Sequence, residues 1–190
     1  ELLGTTVDDA AGECFDNVGK LLSLPHPAGP QIEKLAAQGQ PTITLPFPKN
    51  DKSLDFSCTG LKTAVRDTVT DTTRRSLGEG GHADLAASLQ TKIAHIFAKK
   101  CRMALEATRA PTLVAAGGVA ANTAIRTALA EMCTQQGVRF SAPPPSLCTD
   151  NAAMIAYAAG LRHLAGLDTG SFSTPVRPRW PLTEESSWRA

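Results

Sequence analysis

Leu113-Val114-Ala115-Ala116-Gly117-Gly118-Val119-Ala120-Ala121-Asn122 decides the architecture. The apolar start predicts a buried strand over 112–116. Two adjacent glycines break it, and 121–132 turns helical. A second strand is predicted at 138–141. Strand, glycine turn, helix and strand in that order imply an α/β domain whose sheet is covered by helices. Ligands in such sheets gather at the C-terminal strand ends, beside helix N-termini. Glycines there have no Cβ and let backbone approach a ligand, and the helix start offers N–H groups to an anionic or polar group. No Gly-Lys-Ser/Thr follows, so this is not a P-loop. Asn122 donates and accepts at once. That suits a ribose or a base edge, or the residue is simply a solvated Asn in a tight turn.

Downstream, Pro143-Pro144-Pro145 forms a rigid connector, and Cys148-Thr149-Asp150-Asn151 opens a helix of small apolar residues ending at Gly166. Asp150 at a loop–helix junction is either an N-cap or a ligand. The tail over 176–182 is rich in Pro and Arg and reads as extended. Upstream, Asp84 is expected to cap the longest helix, 84–107, with the apolar stripe Leu85, Leu89, Ile93, Ile96, Phe97, Cys101, Ala104 and Leu105. The segment 74–82, with Gly78, Gly80 and Gly81, is expected to be an exposed, mobile connection. Residues 60–69 read as helical. Strands over 42–47 and 53–58 read as a hairpin across Pro48-Lys49-Asn50-Asp51.

Nearest the start, Ala11, Phe15, Val18 and Leu22 recur at helical spacing over 8–22, with Asp8 and Asp9 suiting the positive end of the dipole. Pro25–Pro30 reads as a turn that no regular element survives, before a short helix over 31–38. Asp16 lies mid-helix, where Asp is a poor former; it is either a ligand or part of a solvated face. Gly29 is a turn glycine. Ser57 or Thr59 is placed to cap the next helix, and Lys62 to face a phosphate.

Composition narrows the class. The 190 residues are 42% hydrophobic, ordinary for a globular chain able to bury one core or two small lobes. No apolar run is long enough to span a bilayer. A net charge of +1 does not announce nucleic acid by composition, so any RNA partner requires clustered cations or a second protein. The five cysteines are scattered without a CxxC pair, which argues against a disulfide framework or zinc site and for a reducing cytosol. The four histidines show no HxxxH or HxH spacing. Glu1-Leu2-Leu3-Gly4 lacks a Met and a charged n-region and reads as the interior of a longer chain.

Taken in order, DDAAGECFDNVGKLL at 8–22, the HPAGP turn, LDFSCTGLKT at 54–63, AAGGVAAN at 115–122, CTDNAAMIAYA at 148–158 and VRPRWPL at 176–182 resemble the TsaD/Kae/OSGEP proteins, in their bacterial or organellar form. The resemblance spans essentially the whole chain. It implies the actin-like ATPase superfold (ASKHA, ribonuclease H-like), with this chain forming mainly the C-terminal lobe. Residues 1–150 would then be the nucleotide- and substrate-facing α/β lobe, and 151–190 a helix and tail returning to an N-terminal lobe that is largely missing.

The resemblance also implies a chemistry: transfer of a threonylcarbamoyl group from threonylcarbamoyl-AMP to the N6 amine of the adenosine beside the anticodon in tRNAs reading ANN codons. Asp16, Gly29, Asn122 and Asp150 fall on substrate-binding positions, and Asp150 on a metal ligand, for one divalent Fe or Zn per complete subunit. Helix-end N–H groups would hold the adenylate phosphate. Implied partners are tRNA and TsaB-like and TsaE-like proteins, in a bacterial cytoplasm or an organellar matrix. The family's HxxxH motif, which supplies the other metal ligands, has no counterpart here. The chain alone is therefore expected to be inactive and to hold no metal by itself, and Met154, Ile155 and Leu161 are expected to be uncovered. Alternatives are an ATPase or kinase of the same superfold and a non-catalytic TsaB-like subunit. A protease is disfavoured, since neither a Ser/His/Asp order nor HExxH occurs.

Overall fold

A computed structural model describes residues 1–75 and 80–167, with backbone alone over 71–75. The elements are α1 (Ala11–Leu21), α2 (Ala28–Ala36), α3 (Thr59–Arg75), α4 (Gly81–Thr108), β1 (Thr112–Val114), α5 (Thr123–Gln136), β2 (Arg139–Ser141) and α6 (Ala152–Leu164), with 3₁₀ turns at Gly118–Ala121 and Pro145–Leu147. The chain divides into two compact units, Leu3–Thr149 and Glu1–Leu2 with Asp150–Ala190. The proposed extended tail at 176–182, and the part of the 74–82 connection at 76–79, lie outside the described residues.

The strand–glycine–helix–strand reading holds. β1 and β2 pair in parallel with Leu113 opposite Phe140, and α5 makes the crossover. Among the described residues the sheet is shorter than predicted. Val114 is 67% exposed, so β1 is not the buried strand its composition implies.

α4 is the spine of the larger unit. Its Leu85, Leu89, Ile93 and Ile96 are buried, and it packs against both α5 and α2. α1 in turn packs on α2 and α3 through Cys14, Phe15 and Val18.

Three local expectations fail for identifiable reasons. The helix after the Pro25–Pro30 segment starts earlier than predicted, because Ala28, Gly29 and Pro30 are its first turn. Proline is tolerated there, since the N–H it lacks would have no intrahelical acceptor. The 42–58 hairpin does not form. Backbone from 40 to 53 bonds to α4 side chains instead: Gln40 N–H donates to Asp84, Ile43 N–H to Ser88 Oγ, and the buried Lys100 Nζ donates to Ser53 O. Among the described residues, the bridge in this stretch is a parallel one between Thr6 and Phe56. Asp84 therefore does not cap its own helix, which begins three residues earlier behind Gly80, at φ 100°.

All five cysteines are free thiols. Within the second unit, α6 buries no residue; Met154, Ile155, Tyr157, Leu161 and Leu164 are all exposed. Among the described residues no helix is long and apolar enough to cross a membrane.

Candidate functional site

In the larger unit the starts of α1, α2, α3 and α5 are held by carboxylates. Glu13 Oε2 accepts the Ala10 N–H at 3.0 Å, closing the start of α1. Asp16 Oδ1 accepts the Ala28 N–H at 2.8 Å, at the start of α2, with His26 Nδ1 3.4 Å away. Glu33 Oε1, on α2, accepts the Thr123 N–H at 2.8 Å, at the start of α5. Asp8 does the same for α3, accepting from Ser57 Oγ and from the Cys58 and Thr59 N–H groups. Each start carries partial positive charge, so a carboxylate there both satisfies a donor and meets the dipole. Burial pushes the Asp8 carboxyl up, but the hydrogen bonds from Ser57, Cys58 and Thr59 outweigh it and hold the group below the ordinary carboxylate value.

The starts of α1, α2 and α5, with the 118–121 turn, border one cavity of about 570 Å³. Its lining includes Glu13, Asp16, Gly29, Glu33, Asn122 and Thr149. The size suits a nucleoside-scale ligand. Three of the predicted residues, Asp16, Gly29 and Asn122, thus meet although they are more than a hundred residues apart at the extremes. A Cβ on Gly29 would meet nothing within 4 Å, so its missing side chain leaves open space. Gly117, at φ 89°, makes the turn that delivers residues 118–122 to the cavity, a conformation L side chains rarely adopt.

Asn122 is not the solvated residue of a plain turn. It is 7% exposed and is the N-cap of α5: Oδ1 accepts the Ile125 N–H at 3.0 Å and Nδ2 donates to Gln90 Oε1 at 2.8 Å. The capping expected of Ser57 or Thr59 is done largely by Asp8, and Lys62 is paired with Asp9, which occupies the cation meant for a phosphate.

Among the described residues, the lining holds three carboxylates and neither Lys nor Arg. Each carboxylate spends one oxygen on a backbone N–H in these bonds. The other oxygen accepts readily from hydroxyl or amine donors. The starts of α1, α2 and α5, where a phosphate is expected, each already have a carboxylate oxygen on one backbone N–H. Glu13 and Glu33 were missed by sequence reasoning. Ala10 lacks the Ser/Thr that flags a capping box, and Glu33 acts ninety residues away.

Asp150 lies in the second unit and is exposed. It does not cap α6; Asn151 does, accepting the Met154 N–H at 2.9 Å. Among the described residues no three His, Cys, Asp or Glu side chains converge as a metal site would require. The described donors by themselves do not make a complete metal centre.

A model of the family described as TsaD: tRNA N6-adenosine threonylcarbamoyltransferase matches residues 1–157. The chain is 49% identical to the tRNA N6-adenosine threonylcarbamoyltransferase of Bartonella henselae, with 97% of this chain aligned to 54% of that protein. It is 47% identical to the protein of the same description from Brucella anthropi, over 98% of this chain and 54% of the relative. The chain spans about half the length of the curated relatives it matches.

Proposed function

The chain belongs to the TsaD family, and from that premise we propose that its Asp16–Gly29–Asn122 cavity holds the adenosine end of a threonylcarbamoyl-adenylate during acyl transfer to tRNA. The family has the actin-like fold, and the parallel β1–β2 pair with its flanking helices is an α/β portion of it. The observation that carries the reading is the meeting of Asp16, Gly29 and Asn122 on one cavity of nucleoside size.

In the proposed reaction the adenosine N6 amine of tRNA attacks the carbamoyl carbon of the mixed anhydride. A C–N bond forms, the bond from that carbon to the phosphate oxygen breaks, AMP leaves, and the amine loses a proton. The residues of this chain bind and orient. Asp16 and Glu33 each keep an oxygen for the ribose hydroxyls. Gly29 leaves room for the nucleoside. Asn122 acts through the backbone, because its side chain is committed to the cap. The three carboxylates repel phosphate, so the ribose enters the cavity and the phosphate stays outside it.

Asp150 is proposed as one ligand of the family's divalent metal in the complete protein, and as a contact to substrate. Residues 1–150 would be the substrate-facing lobe. The exposed apolar residues of α6 would be covered by the remainder of the protein, with the 151–190 segment as the connection. tRNA is the acceptor, TsaB-like and TsaE-like proteins are partners, and the cytoplasm or an organellar matrix is the site of action. With one candidate ligand among its described residues, the chain alone is proposed to be inactive.

The test is incubation of the complete protein and of residues 1–190 with threonylcarbamoyl-AMP and tRNA, followed by mass analysis of the nucleosides. The modified adenosine should appear with the complete protein only. Robust modification by residues 1–190 would contradict the division of labour, and none by the complete protein with its partners would contradict the reaction.

A further inference from the structure

Arg126 lies one turn past the Asn122 cap, and its guanidinium reaches two separate segments. Nε donates to Ala120 O and Nη2 to Pro143 O, each at 2.5 Å, and Nη2 lies 3.0 Å from Cys148 Sγ. The Cys148 thiol is itself buried and donates to Pro143 O at 3.7 Å. These partners are carbonyls and a thiol, so a permanent, partly buried cation is spent on holding loops. Ala120 adjoins Ala121 and Asn122, and Cys148 adjoins Thr149; all three neighbours line the cavity. One planar fork thus ties together the two stretches of chain that form one side of it. Lysine has three donors but all on one nitrogen, so it cannot reach both segments as Nε and Nη2 do here.

We propose that Arg126 is a positioning residue for the cavity: by clamping Ala120 to Pro143 and Cys148 it fixes Thr149 against the Asn122 turn, and so sets how tightly an adenosine-bearing ligand is held. The proposal rests on the reading of the cavity as an adenosine site. It assigns Arg126 no contact with substrate.

The experiment uses the complete protein with adenosine as probe, by titration calorimetry, and tRNA binding in parallel. Arg126→Met keeps the aliphatic stem and removes the fork. It should weaken adenosine about tenfold, the scale of one charge-assisted hydrogen bond, and leave tRNA affinity unchanged. Arg126→Lys should fall between the two. Cys148→Ser keeps an acceptor and should bind like wild type, whereas Cys148→Ala should be weakened in the direction of Arg126→Met. Leu129→Ala, a core truncation on the same helix, controls for general destabilisation and should leave the adenosine affinity unchanged. If Arg126→Met does not fold, Arg126→Lys and the Cys148 pair decide. Undiminished adenosine binding in the Arg126 variants, or equal loss in Leu129→Ala, would overturn the positioning role alone. Failure of wild type to bind adenosine would overturn the cavity reading and this role with it.

Discussion

Asp16 Oδ1 accepts the Ala28 N–H at 2.8 Å, so a carboxylate in the middle of α1 closes the start of α2. The same side chain borders the cavity. Asp16→Asn keeps an acceptor for Ala28 and should unfold within a few tenths of a kcal/mol of wild type, while Asp16→Ala should cost about 1 kcal/mol. Both should weaken adenosine. Denaturant titration beside calorimetry separates the two roles; a variant that lost stability but kept full affinity would make Asp16 a cap only.

Gly29 has open space where a Cβ would stand and sits in the first turn of a helix. Gly29→Ala should be neutral or raise stability by up to about 1 kcal/mol, as expected for glycine replaced in a helix. Gly29→Leu should fold and fill the cavity, lowering adenosine affinity by at least about tenfold. Thermal unfolding and calorimetry together check this.

The Asp8 clamp on α3 is pH-dependent. Its carboxyl lies below the ordinary value when folded, so it stabilises the fold at pH above the unfolded value, about 3.9. That contribution is lost as pH falls through the lower folded value. Urea midpoints measured from pH 6 downward should drop more steeply for wild type than for Asp8→Asn below about pH 4. Parallel curves would mean the clamp adds nothing.

Lys100 is 1% exposed and donates to Ser53 O, with Asp51 Oδ1 at 3.4 Å. Lys100→Met preserves volume and frees the 50s segment from α4. It should cost about 1.5–3 kcal/mol, the net worth of a hydrogen bond to a charged group. Hydrogen exchange should rise first around Ser53; uniform exchange across the chain would contradict a local anchor.

Much of the fold was legible because its helices carry their own periodicity. Leu85, Leu89, Ile93, Ile96 and Leu105 of the α4 stripe and Phe15 and Val18 of α1 bury as spaced, while Ala11, Phe97, Cys101 and Ala104 are only half-buried. The glycine turn before α5 is equally local. What was not legible depends on distant partners. The alternating pattern at 42–58 is compatible with a strand until Asp84, Ser88 and Lys100 claim its backbone. Asp8 reaches fifty residues ahead, and Glu33 reaches ninety. For the site, Asp16, Gly29 and Asn122 were found by resemblance to a family, because each is a weak signal alone. The acidity of their cavity came only from the geometry, through Glu13 and Glu33.

The most direct measurement is threonylcarbamoyl transfer to tRNA by the complete protein carrying Gly29→Leu, compared with wild type at matched folding. If the cavity holds the adenylate, the modified adenosine should fall by at least about tenfold while tRNA binding is unchanged. Full transfer by the filled cavity would place the adenylate elsewhere.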